Sequence, residues 1–128
     1  MKGVVNLTPR SLTIFTPEGK LTIPTSGYLR LVEEDLGVRR IAGIEYIEKR
    51  FDGVNIRLQE VPDEVEVVIV DSELTALALT LVEEPRAELQ EKFGEVVVLT
   101  PDTFPRYVVR DDRGKVVGFK RLFRYKFK

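Results

Sequence analysis

Residues 64–81 read Glu-Val-Glu-Val-Val-Ile-Val-Asp-Ser-Glu-Leu-Thr-Ala-Leu-Ala-Leu-Thr-Leu, and this stretch decides the fold. The first seven residues end in a continuous apolar run, which is typical of a strand buried on both faces. Asp71 or Ser72 can then cap a helix whose apolar residues cover almost every side. The stretch therefore predicts a buried strand that runs into a deeply packed helix.

A second helix and a second apolar strand complete this unit. Pro85 stands where a first helical turn would begin, Leu89 and Phe93 are four residues apart, and Gly94 is a natural stop. Residues 95–100 then form another apolar strand. A strand, a helical stretch and a strand in this order predict a βαβ unit with parallel strands and a right-handed crossover.

The rest of the chain predicts short strands joined by turns. Residues 4–8, 12–16 and 21–23 are β-prone, and each segment stops at a proline. Leu36-Gly37 and Asp52-Gly53 are predicted turns, and 107–117 is a predicted closing hairpin. We therefore predict an α+β fold for a single domain over residues 1–128. It should hold a mixed, mostly antiparallel β-sheet with one βαβ unit, one parallel pair of strands and two helices.

The composition excludes several classes of mechanism. The 128 residues contain no Cys and no His, so thiolate chemistry and a Ser-His-Asp triad are not open to this chain. A bound metal would have to be a hard cation such as Mg²⁺ or Ca²⁺ on oxygen ligands. We expect neither a secretory signal nor a membrane span, and hence a cytoplasmic protein with no cofactor, no metal and no membrane partner. The high content of Glu, Lys and Arg resembles thermophile usage.

Two segments near the ends of the chain carry a resemblance to known proteins. Residues 6–9 read Asn-Leu-Thr-Pro, and residues 110–118 read Arg-Asp-Asp-Arg-Gly-Lys-Val-Val-Gly. They resemble a group of small bacterial and prophage-encoded proteins that open with Asn-Leu-Thr-Pro-His-Pro and end with Arg-Asp-x-x-Gly-x-Val-x-Gly. The group has no established activity, so the resemblance implies no catalytic residue. Arg10 and Ser11 replace the His-Pro of the group and leave no histidine-based role here.

Asp71, Ser72 and Glu73 are the candidate ligand-binding residues. They follow a predicted parallel strand and open a helix. Ligands of α/β sheets bind at the carboxyl ends of the strands, and helix N-termini attract anions. In one interpretation Asp71 and Glu73 hold Mg²⁺ while Ser72 meets a phosphate. In the other, Asp71 and Ser72 cap the helix and Glu73 complements its dipole. No Gly-rich phosphate-binding motif precedes the helix.

The C-terminal tail, residues 106–128, carries nine Lys and Arg against two Asp. Aromatic residues alternate with basic ones from Phe119 onward, so a strand over 119–127 would present an aromatic face and a cationic face. The aromatics could pack in the core, or the tail could bind single-stranded nucleic acid or a partner. The candidate residues are Lys120, Arg121, Arg124, Lys126 and Lys128. The tail could also pair with the acidic stretch 60–95, either within one chain or between two copies that self-associate.

These observations favour a non-enzymatic binding or interaction module. The first alternative is a Mg²⁺-dependent phosphate-handling enzyme centred on Asp71, Ser72 and Glu73. The second is a weak single-stranded nucleic-acid binder that uses the tail.

Overall fold

The computed structural model describes residues 3–127. The strands, in chain order, are β1 (Val4–Asn6), β2 (Leu12–Thr16), β3 (Gly19–Ile23), β4 (Gly27–Ile41), β5 (Ile44–Leu58), β6 (Val67–Ile69), β7 (Val97–Pro101), β8 (Val108–Arg110), β9 (Val116–Phe119) and β10 (Leu122–Phe123). Helices α1 (Glu73–Leu81) and α2 (Glu83–Phe93) connect β6 to β7, and one 3₁₀ turn (Pro105–Tyr107) precedes β8. The predicted α+β fold is confirmed.

The central sheet has the strand order β1-β6-β7-β10. Its first three strands are parallel, and β10 pairs antiparallel with β7 at one edge. Val68 and Val70 pack toward one face while Ile69 packs toward the other, so β6 is buried on both sides. This explains the continuous apolar run of the sequence, and the predicted βαβ unit is confirmed.

The two helices cover one face of the central sheet. Ser72 caps α1, Val82 joins the helices, and Gly94 ends α2 with a φ of 76° that suits glycine. The core on this side includes Val5, Leu79 and Leu89. Leu29, Val54, Ile56 and Leu58 at the base of β4 and β5 also pack there.

A second sheet with the order β3-β2-β9-β8 covers the other face. Leu12, Ile23 and Ile69 are the buried centre of this interface, with Phe119 and Leu122 packed around them. β2 runs parallel to β9, so the structure contains three parallel pairings, β1–β6, β6–β7 and β2–β9. The expectation of one parallel pair was therefore too low, because the sequence does not show which strands cross between sheets.

Strands β4 and β5 form a long two-stranded antiparallel hairpin that pairs from Gly27–Leu58 out to Ile41–Ile44. The predicted turns at Leu36-Gly37 and Asp52-Gly53 are wrong, because both segments lie within the strands at register shifts. Gly37 and Gly53 have φ values of 113° and 114°. A glycine with positive φ serves a bulge as well as a turn, and the chain reverses instead at Ala42-Gly43.

Candidate functional site

The predicted phosphate or metal site lies where β6 gives way to α1. The Oγ of Ser72 accepts a hydrogen bond from the backbone N of Thr75 at 3.1 Å and lies 2.8 Å from the Thr75 hydroxyl. The Ser72 side chain is therefore engaged as a helix cap. Asp71 and Glu73 on either side of it are exposed.

Asp71 and Glu73 line different cavities. Asp71 lines a cavity of about 310 Å³ together with Thr8 and Arg10 from the segment after β1. Glu73 lines a cavity of about 530 Å³ together with Asp102. Among residues 3–127, no group of three or more acidic side chains is arranged to hold a metal ion. The structure thus places the three predicted residues next to one another without directing both carboxylates into one cavity.

Asn6 is a structural residue at the same sheet edge that the sequence reasoning missed. It is fully buried, and its Oδ1 accepts hydrogen bonds from the backbone N of Thr8 at 3.0 Å and from the Thr8 hydroxyl at 2.7 Å. Its Nδ2 donates to the carbonyls of Arg10 and Ile23, both at 3.1 Å. The Asn-Leu-Thr-Pro segment is therefore held by its own side chains, and Arg10 is exposed beyond it.

Asp102 and Arg121 form a second polar arrangement that was not anticipated. The Nε of Arg121 donates to Asp102 Oδ2 at 2.7 Å, and the Asp102 backbone N donates to the Arg121 carbonyl at 3.1 Å. The hydrogen bond from Arg121 holds the pKa of the Asp102 carboxyl below its ordinary value. The guanidinium of Arg121 also lies 3.6 Å from the ring centre of Tyr107. Arg121 is thus the basic residue of the described tail that forms an ion pair, although its side chain is 53% exposed.

The other predicted residues of the tail have different surroundings. Lys120, Arg124 and Lys126 are exposed, and Lys128 lies outside the described residues. Arg124 lines a cavity that also includes Glu66 and Glu95 of the acidic stretch. Within residues 3–127, no ion pair shorter than 4.0 Å joins the tail to residues 60–95.

The expected strand over 119–127 is shorter than the alternation suggests. Phe119 belongs to the second sheet, and the chain then enters the central sheet, where only Leu122 and Phe123 pair with β7. Leu122 packs toward the second sheet, whereas Tyr125 packs toward the helices. The Oη of Tyr125 donates to Glu73 Oε2 at 3.2 Å, and burial together with this carboxylate raises the tyrosine pKa. Phe127 is half-exposed.

The outer part of the β4–β5 hairpin holds six of the exposed large apolar residues of the described chain. We define the outer arm as residues 33–50. Each of these residues is exposed except Gly37 and Glu48, which are partly exposed. At a rise of about 3.3 Å per residue, the outer arm projects roughly 25 Å. We define its tip as residues 36–47, which carry exposed large apolar side chains at Leu36, Val38, Ile41, Ile44, Tyr46 and Ile47.

The apolar residues of the tip occupy both faces of the hairpin. Val38 lies opposite Ile47 on one face, with exposed fractions of 58% and 56%. Ile41 lies opposite Ile44 on the other face, and both are 65% exposed. Cross-strand partners share a face, so each face of the tip carries one exposed pair of apolar side chains.

The base of the hairpin is fixed to the helices through one acidic residue. Glu88 of α2 accepts a hydrogen bond from the backbone N of Val54 at 2.8 Å. Gly53 lies so close to Glu88 that a Cβ at position 53 would come within 2.5 Å of its Oε1. The direction of the outer arm is therefore set by a packed and hydrogen-bonded base.

Comparison of the chain with protein-family models, with curated proteins and with solved structures finds no significant match. Among residues 3–127, no helix is long and apolar enough to cross a membrane.

Proposed function

We propose that this protein is a non-enzymatic interaction module of the cytoplasm, and that the outer arm is its docking element. The observation that carries the proposal is the group of exposed apolar side chains at the tip, which includes Val38, Ile41, Ile44 and Ile47. Single apolar residues on a surface need no explanation, but a cluster of them on a projecting element is typical of an interaction site.

The stability of a two-stranded ribbon supports the same conclusion. An isolated two-stranded hairpin is marginally stable in water, and three or more strands with a buried face are normally needed. The base of β4 and β5 has such a face against the helices, through Leu29, Val54 and Ile56. The outer arm has none among the described residues, so a partner that covered it would supply the missing burial.

Photo-crosslinking in cells tests this function. A photoreactive amino acid is placed at Ile41 or Ile44 in the tip and, as a matched control, at Leu81, which is 54% exposed on α1. The docking proposal predicts covalent adducts from the two tip positions and little adduct from position 81, with the partner identified by mass spectrometry. Equal yields at all three positions would overturn the proposal.

A second candidate function rests on an exposed aromatic and arginine surface. Phe104 is 61% exposed, and the guanidinium of Arg106 lies 5.5 Å from its ring centre and 4.9 Å from that of Tyr107. Exposed aromatics beside arginine are the elements on which single-stranded nucleic-acid bases stack. Lys120 and Arg124 would add phosphate contacts from the tail.

Fluorescence anisotropy with a labelled single-stranded oligonucleotide tests this second candidate. About four phosphate contacts give a slope near −3 for log K against log salt, and loss of one stacked base weakens binding about tenfold. Phe104→Ala should show this loss, whereas Leu81→Ala on α1 should not. The absence of binding at low salt, or equal affinities of the two variants, would exclude nucleic-acid binding through this surface.

A further inference from the structure

The outer edge of β4 carries a charge pattern that reverses about its middle. Residues 33–40 read Glu-Glu-Asp-Leu-Gly-Val-Arg-Arg, with acids before the Leu36-Gly37 centre and bases after it. From Leu31 outward, β4 pairs with β5 on one side, and its other edge has no strand partner within the described chain. This edge therefore presents backbone groups without a strand partner beside a charge pattern that is complementary to itself when reversed. In the single copy the Arg39 guanidinium donates to the carbonyls of Val38 at 3.2 Å and Leu36 at 3.4 Å, so it would have to release them when a second edge pairs there.

The ion pairs inside the hairpin show on which face each charge lies. Glu34 pairs with Arg50, and the Nε of Arg39 lies 3.6 Å from Glu48 Oε2. Arg50 and Glu48 are two residues apart on one strand, so Glu34 and Arg39 share a face. The register shift at Leu36 is responsible, because without it residues of odd and even number would lie on opposite faces.

The remaining charges lie on the other face. The Nζ of Lys49 is 3.7 Å from Glu33 and 4.0 Å from Asp35, and Arg40 lies opposite Glu45, four residues from Lys49 on β5. Glu33, Asp35 and Arg40 therefore share this second face.

We infer that two copies of this chain associate through their outer arms, with the β4 edges side by side and antiparallel. A two-fold axis between Leu36 and Gly37 sets Glu33 opposite Arg40 of the second copy and Glu34 opposite its Arg39. One register satisfies both pairings, and each pairing joins residues on the same face. The contact is isologous, so every pairing occurs twice. This inference names the partner of the outer arm and so rests on the proposed function, although the contact runs along β4 and does not reach Ile44 and Ile47 on β5.

Each face of the resulting four-stranded sheet carries charges that alternate in sign. On one face the row runs Arg50, Glu34, then Arg39 and Glu48 of the second copy. A single exposed ion pair contributes little to affinity, but complementary rows fix register and exclude wrong partners. A parallel alignment would place Glu34 beside Glu34 and Arg39 beside Arg39. The charges therefore select the antiparallel arrangement of two identical arms.

Charge reversal tests the inference by sedimentation velocity. The wild-type protein should be a dimer at micromolar concentrations. Glu34→Arg and Arg39→Glu each set like charges opposite one another, and each should raise the dissociation constant about tenfold or more. An equimolar mixture of the two variants restores both pairings and should form a heterodimer. Lys20→Glu, an exposed charge reversal on β3, should remain a dimer.

The mixture also shows whether the variants are folded, because two unfolded variants would not form a heterodimer. A monomeric wild type, single variants that stay dimeric, or a mixture that stays monomeric while circular dichroism shows both variants folded would each overturn the inference. Crosslinking at Ile41 distinguishes this failure from failure of the proposed function. Adducts with a different protein would leave the docking element standing and remove only the second copy as its partner.

Discussion

Arg121 Nε lies 2.7 Å from Asp102 Oδ2, and this pair joins the end of β7 to the start of β10. The arginine lowers the pKa of Asp102 below the ordinary value of 3.8. A lowered folded-state pKa stabilises the protein above the unfolded value, and this contribution is lost as the pH falls through the folded value. The free energy of unfolding should therefore contain a term that is present at neutral pH and lost below about pH 4.

Asp102→Asn should remove this term. Urea denaturation should show the variant less stable than wild type at pH 7, and the difference should shrink as the pH falls below about 4. Asp112→Asn, in the exposed turn between β8 and β9, is the control. Its free energy of unfolding should equal that of wild type both at pH 7 and in acid. A difference for Asp102→Asn that stays constant down to pH 2 would contradict this role of the pair.

Asn6 should be required as an amide. Asn6→Asp keeps the shape of the side chain but sets a carboxylate against the carbonyls of Arg10 and Ile23. One carboxylate oxygen keeps the two hydrogen bonds from Thr8, but the other faces two carbonyl oxygens and has no donor. The buried charge should cost about 3 kcal/mol or more at neutral pH, and protonation in acid should relieve part of that cost. Asn55→Asp, exposed on β5, should change stability by less than about 0.5 kcal/mol. Chemical denaturation of both variants at two pH values measures the difference, and equal stabilities would contradict the anchoring role.

Phe123 should contribute more to stability than the basic residues that follow it. Its ring meets that of Tyr125 edge-on at 5.2 Å and is partly buried. A fully buried ring costs about 3–5 kcal/mol on truncation, so Phe123→Ala should cost about 2 kcal/mol. Arg124→Ala and Lys126→Ala, both exposed, should each stay within about 0.5 kcal/mol of wild type. The denaturation midpoints of the three variants measure these differences. If Phe123→Ala left the stability unchanged, the aromatic residues of the tail would not hold β10 in place.

The βαβ unit could be predicted because its signals are local. The apolar run ending at Val70, the cap at Ser72 and the stop at Gly94 each act within a few residues. The long hairpin could not be predicted in the same way. Beyond Glu33 both of its faces are exposed, so burial imposes no alternation of apolar and polar residues on the sequence. Glu33, Glu34 and Asp35 look like an ordinary solvated cluster until the pairing register shows which charges share a face.

The contact between Asp102 and Arg121 could not be predicted for a different reason. Arg121, one of the candidate basic residues of the tail, pairs with Asp102, nineteen residues earlier in the chain. Only the entry of β10 beside β7 brings these two residues together. Asp102 directly follows the apolar strand of residues 97–101, so an acid after a buried strand was the signal available.

Hydrogen–deuterium exchange of the outer arm is the sharpest test of the inference that two copies of this chain pair through their β4 edges. Those amides of residues 33–40 that point away from β5 should exchange slowly at high protein concentration and faster on dilution. In Glu34→Arg they should exchange fast at both concentrations. The amides of β6, Val67–Ile69, should be unaffected by either change. Exchange at these amides that depends neither on concentration nor on the substitution would contradict pairing of two copies through the β4 edge.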